Sequence, residues 1–106
     1  MVLALFSEIA LAVQIQGATS CGRWVEYEAK ANQNTEINFS RTWVVGYLSG
    51  LASASQKEFW GGGQSGVNNL DTASVFLWID NYCRANPLKD IDDAAMALFF
   101  ERIKNK

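Results

Sequence analysis

The chain predicts a small all-α domain, a four-helix bundle stapled by one disulfide. Three observations lead there. Apolar residues recur at helical spacing from about Ile37 to Gln56, with Val44, Tyr47, Leu48, Leu51 and Ala52 on one face. Two further apolar runs each follow an aspartate placed to cap a helix, Asp71 and Asp90. Two cysteines, Cys21 and Cys83, stand far apart in a chain of 106 residues, which is one domain at most. Hydrophobic residues make up 49% and aromatic residues 12%, enough to build a core.

Residues 1–20 read as a signal peptide. Val2 to Val13 is apolar apart from Ser7 and Glu8, and small residues stand at Ala18 and Ser20 before Cys21. The run is too short and too interrupted for a membrane span, so no stable membrane insertion is expected. It departs from the usual leader in having no Lys or Arg at its start and Glu8 within its apolar part. The competing reading is an amphipathic first helix. A cut near Ser20 or Cys21 leaves residues 21–106 as a single helical domain, periplasmic or secreted. A domain of that size buries a limited fraction of its surface and often needs a staple, which Cys21 and Cys83 would supply. Two reduced, buried cysteines and a lipid anchor on Cys21 are the alternatives. The second is disfavoured because no leucine stands in Ala18-Thr19-Ser20.

Residues 24–30 fit both a strand, by alternation, and a helix, by the Glu26–Lys30 spacing. A lone strand would have nothing to pair with, so a short helix is expected. Residues 31–35 read as a polar loop, and Asn38-Phe39-Ser40 fits a glycosylation sequon. In the helix that follows, Gly46 and Gly50 each cost roughly 1 kcal/mol against alanine. Close approach of another helix would compensate, or the glycines bend the helix. Asp71 caps the third helix, whose Val75–Ile79 run is expected to be buried on most sides. That helix stops before Pro87, because the residue ahead of proline avoids the α region. Asp90 caps the last helix. Asp92 and Asp93 sit at its positive end, and Arg102, Lys104 and Lys106 at its negative end. The three aspartates resemble a metal site, but helix capping explains them more simply, and no metal is expected.

The main irregular segment is residues 58–70, in which Gly61, Gly62, Gly63 and Gly66 forbid regular structure. It is not a phosphate loop, for no Lys-Ser or Lys-Thr follows. It reads either as a binding loop with an aromatic anchor or as a connector whose aromatics tuck onto the core. On the first reading Trp60, Gly61, Gly62, Gly63 and Gln64 are the partner-binding residues. Trp60 is then the most exposed tryptophan. Trp43 and Trp78 are expected to be buried, and Trp24 to pack on the disulfide.

Several functions are disfavoured. Nine basic residues against eleven acidic ones, a net charge of −2, give no basic excess for nucleic acid. Histidine is absent, and with it the commonest general base and metal ligand. No Ser-x-x-Lys occurs, and nothing singles out a pair among the acids. The chain is therefore expected to be no enzyme and to hold no cofactor.

Trp43-Val-Val-Gly-Tyr-Leu-Ser-Gly50, Asp80-Asn-Tyr-Cys-Arg-Ala-Asn-Pro-Leu88 and Ala94-Ala-x-x-Leu98 follow one another in a familiar order. The set resembles the Rap/Tai family of type VI secretion immunity proteins over about residues 42–103. In build the chain also resembles the small Hde-type periplasmic acid-stress proteins. The resemblance implies a periplasmic, all-helical protein, often a homodimer, that acts by binding other proteins. Rap/Tai members block a peptidoglycan amidase delivered by a neighbouring cell. Hde-type members unfold in acid and act as chaperones that shield client proteins. The chain departs from the first group at Val45, where a cysteine often stands. If the variable loop is the contact surface, it is Phe59 to Asn69.

Overall fold

Four helices account for most of the described residues. The computed structural model describes residues 15–30, 35–61 and 69–104 of the chain. Helix α1 spans Cys21–Ala29, α2 Thr35–Ser55, α3 Thr72–Ala85 and α4 Ile91–Lys104, with no strand among the described residues. None of these helices is long and apolar enough to cross a membrane.

Each helix end has a local cause. Ser20 caps α1: its Oγ accepts the Arg23 N–H at 3.1 Å. The helical reading of residues 24–30 holds, but the helix begins earlier, at Cys21. Helix α2 ends where Gln56 adopts φ of 59° and the Lys57 N–H donates to the Ala52 carbonyl at 3.1 Å. That is the left-handed closure usually given to glycine. Asp71 caps α3 by accepting the Ser74 N–H at 2.7 Å. The helix stops at Asn86, ahead of Pro87, and the Asn86 amide donates to the Tyr82 carbonyl at 2.9 Å. At α4 the Asp93 carboxylate accepts the Asp90 N–H at 3.0 Å, so the third residue reaches back to the cap position.

The helices pack as a ring. Helices α1 and α4 each lie against both α2 and α3. The core between them contains Trp24, Ile37, Val44, Leu48, Phe59, Val75, Ile79, Ile91, Leu98 and Phe99. The Cys21–Cys83 disulfide joins α1 to α3 inside this core, both cysteines fully buried. Closing a loop of that length removes unfolded-state entropy worth about 4 kcal/mol. A second tie joins the starts of α1 and α4. Cys21 N–H donates to the Lys89 carbonyl at 2.8 Å, and Ile91 N–H donates to the Thr19 carbonyl at 2.9 Å.

Two expectations from the sequence are corrected. The Val75–Ile79 run is buried on one side only: Val75 and Ile79 are inside, while Leu77 is 62% exposed. Trp43 and Trp78 are half-buried, each stacked on the tyrosine one turn further along, Tyr47 and Tyr82. The fully enclosed tryptophan is Trp24, whose ring lies 6.2 Å from that of Phe76. Position 24 looked ambiguous because too few residues around it defined a face.

Candidate protein-binding surface

Phe59, Trp60 and Gly61 form one foot of the glycine-rich segment, and the structure fixes that foot firmly. Phe59 is buried and stacks on Phe99 of α4 at 5.6 Å. The Arg102 guanidinium donates from Nε to the Phe59 carbonyl and lies 5.9 Å over its ring. Trp60 meets Phe59 edge to face at 5.0 Å, and its indole N–H donates to the Ser49 hydroxyl of α2 at 3.2 Å. Across the segment, the Leu70 N–H donates to the Trp60 carbonyl at 2.9 Å, so both feet stand at one place. Gly61 has φ of +80°, a conformation that suits glycine. Gly62, Gly63 and Gln64 lie outside the described residues.

Trp60 is half-buried, as Trp43 and Trp78 are, and does not stand out as the exposed one. Its hydrogen bond places it beside α2, and that position matters more than its exposure. At 100° per residue, Phe39, Thr42, Trp43, Gly46, Ser49, Gly50 and Ser53 share the side of α2 turned away from Ile37, Val44 and Leu48. Of these, Trp43 is half-buried and the rest are exposed, Phe39 at 76%. No charged residue occurs on α2 from Thr42 to Ser55. A solvent-facing helix side ordinarily carries charge. Among the described residues, nothing lies within 4 Å of where a Cβ on Gly46 or Gly50 would stand. The close helix that would offset the two glycines is thus not found within the described chain. The result is an uncharged shelf, with Trp60 beside it at Ser49.

The flank of this shelf is better neutralised than its sequence suggests. Arg41 grips Glu28 of α1 through both carboxylate oxygens, at 2.7 and 2.9 Å, and lies 5.2 Å over the Phe76 ring. The Glu28 hydrogen bond raises the Arg41 pKa, so the guanidinium stays charged and engaged. Arg41 and Phe76 line two shallow hollows between α2 and α3, one with Val45 and one with Leu77. On the other flank Ile15, Trp43, Gly46 and Tyr47 line a third.

Carboxylates of Asp90, Asp92 and Asp93 bring oxygens within 4.8 Å of one another at the start of α4. Burial, and then the charge of Asp93, raises the Asp92 pKa. Asp93 is engaged with the backbone N–H of Asp90, which accounts for an acid there without an ion.

Phe39 and the outward glycines were not singled out as binding residues in the sequence. The charge-free stretch from Thr42 to Ser55 was the signal that would have found them. Compared with known proteins, the chain matches no protein-family model, no curated protein and no solved structure.

Proposed function

We propose that the chain is an exported protein-binding module whose contact surface is the outward side of α2 together with the Trp60 foot. Within that class we propose an immunity protein that neutralises a cell-wall hydrolase, the role implied by the resemblance to the Rap/Tai family. One observation carries the binding reading: an exposed helix side without charge, bearing Phe39, a Trp43–Tyr47 stack and two glycines that leave space open above the backbone. Uncharged, aromatic-bearing surface is what protein interfaces bury at their centres. The enclosed disulfide supports an oxidising compartment.

The test is co-purification from the cell envelope of the native host at neutral pH, with wild type and Gly46→Arg side by side. The wild type is expected to retain a hydrolase and inhibit it. Gly46→Arg projects into open space, so it should fold normally and lose the hydrolase. A wild type that retains no partner removes this reading.

The acid-stress chaperone is the second reading, and the Glu28–Arg41 grip is the observation that favours it. That ion pair ties α1 to α2 between two partly sheltered side chains. Light scattering by an aggregating client in strong acid separates the two readings. Protection favours the chaperone, and no protection removes it.

A further inference from the structure

The hollow lined by Ile15, Gln16, Trp43, Gly46 and Tyr47 has a volume of about 510 Å³, so it can take a long side chain whole. Its wall is aromatic: Trp43 and Tyr47 stack at 4.9 Å, with their planes 13° apart. The stack is held in place from outside α2. The Trp43 indole N–H donates to the Gln16 carbonyl at 2.8 Å, and a Cβ on Gly17 would stand 2.6 Å from Nε1. The polar edge of the indole is thus engaged already, and what it offers a ligand is ring surface. Above Gly46 there is open space, with no described atom within 4 Å of where its Cβ would stand.

The charge near this hollow comes from another helix. No charged residue occurs on α2 from Thr42 to Ser55. Asp92 and Asp93 stand in the first turn of α4, close enough to Tyr47 that their charges, after burial, raise its hydroxyl pKa. Asp93 is engaged with the Asp90 N–H, as the start of a helix requires. Asp92 is half-buried, and among the described residues no basic side chain pairs with it. Burial, and then Asp93, push its pKa up, so a cation brought there would relieve the carboxylate.

Aromatic surface beside a carboxylate is the complement of one side chain in particular. Arginine stays charged, stacks its planar guanidinium on aromatic rings and is less strongly hydrated than a lysine ammonium. A wholly apolar occupant would shield Asp92 further with nothing to offset its charge, and an anionic one would be repelled. We infer that this hollow seats an arginine side chain of the protein partner, its stem over Gly46 against Trp43 and Tyr47 and its guanidinium toward Asp92. The inference rests on the protein-binding reading and names the chemistry that reading leaves open: a partner that presents an arginine where it meets α2.

The probe is N-acetyl-arginine amide, with its neutral isostere N-acetyl-citrulline amide beside it. Each is titrated into the full chain while the Trp43 indole N–H is followed by NMR. The arginine amide is expected to shift that resonance to saturation, and the citrulline amide to shift it little. Asp92→Asn should weaken the arginine amide by about fivefold, the upper end for a partly exposed ion pair, and leave the citrulline response unchanged. Added salt should weaken the arginine amide as well. Equal responses to the two amides, or an arginine affinity unmoved by Asp92→Asn, overturn the inference. A Trp43 shift that follows protein concentration without any probe also overturns it, because the hollow then belongs to a second copy of the chain. So does the absence of a shift with either amide, which leaves the protein-binding reading to stand or fall on the hydrolase co-purification. If Asp92→Asn does not fold, the two amides compared on the wild type decide alone.

Discussion

Arg102 holds Phe59 in two ways, by a hydrogen bond from Nε to the backbone carbonyl and by its guanidinium over the ring. This grip joins the last turn of α4 to the foot of the glycine-rich segment. A charged donor to a carbonyl contributes about 1.5–3 kcal/mol. Arg102→Met is expected to cost about 2 kcal/mol in urea unfolding and to shift tryptophan emission to the red as Trp60 loosens. An unchanged midpoint would show that the Phe99 stack and the Trp60–Ser49 and Leu70–Trp60 hydrogen bonds hold the foot without Arg102.

Gly46→Ala and Gly50→Ala should each stabilise the isolated protein, by about 1 kcal/mol. Neither position has positive φ, and a Cβ at either meets no described atom within 4 Å. A loss of stability in thermal unfolding would mean that these glycines are needed inside the monomer, against the open shelf described above.

The Glu28–Arg41 pair is partly sheltered, with side-chain exposures of 17% and 32%. A double-mutant cycle with Glu28→Gln and Arg41→Met should give a coupling of about 1 kcal/mol, reduced by added salt. Part of the Arg41→Met loss will survive salt, because the guanidinium also covers Phe76.

Asp71 and Asp92 respond to acid with opposite sign. The Ser74 side chain, and then the Ser74 N–H, hold the Asp71 carboxyl below its ordinary range. Its contribution is complete above the unfolded pKa and is lost as pH falls through the lower, folded value. Asp92 is raised by burial and by Asp93, so the fold gains from its protonation as pH falls through its elevated value. Asp71→Asn should flatten the acid limb of stability against pH, and Asp92→Asn should steepen it. Unfolding midpoints across a pH series measure both.

Removing the disulfide with Cys21→Ser and Cys83→Ser together is expected to lower stability by up to about 4 kcal/mol. Both residues are fully enclosed, so two hydroxyls would also need partners there. Cys21→Ala with Cys83→Ala separates the crosslink from that polarity cost.

The parts of the fold legible in sequence were those that local chemistry controls. Asp71 announced α3, Asn86-Pro87 ended it, and the acids after Asp90 announced α4. Position 21 paired with position 83 for want of any other cysteine. What escaped the sequence was set by packing at a distance. Nothing near Trp24 says that the core will close over it. Nothing near Phe76 says that an arginine from α2 will lie across its ring. For the site, Trp60 was legible as an aromatic beside glycines. Its seat at Ser49 depends on how α2 runs past the segment. The spacing of Gly46 and Gly50 was visible too, but it pointed inward, and only the helix's orientation turned it toward solvent.

The hydrogen bond from Leu70 to Trp60 has a consequence for how such a protein can diversify. Entry to and exit from the glycine-rich span are clamped side by side, independently of what lies between them. Lengthening or rewriting that span costs little closure entropy and leaves the helical frame untouched. The two feet act as one rivet in the frame, so changes in the span are expected to leave the unfolding midpoint of the helices nearly unmoved.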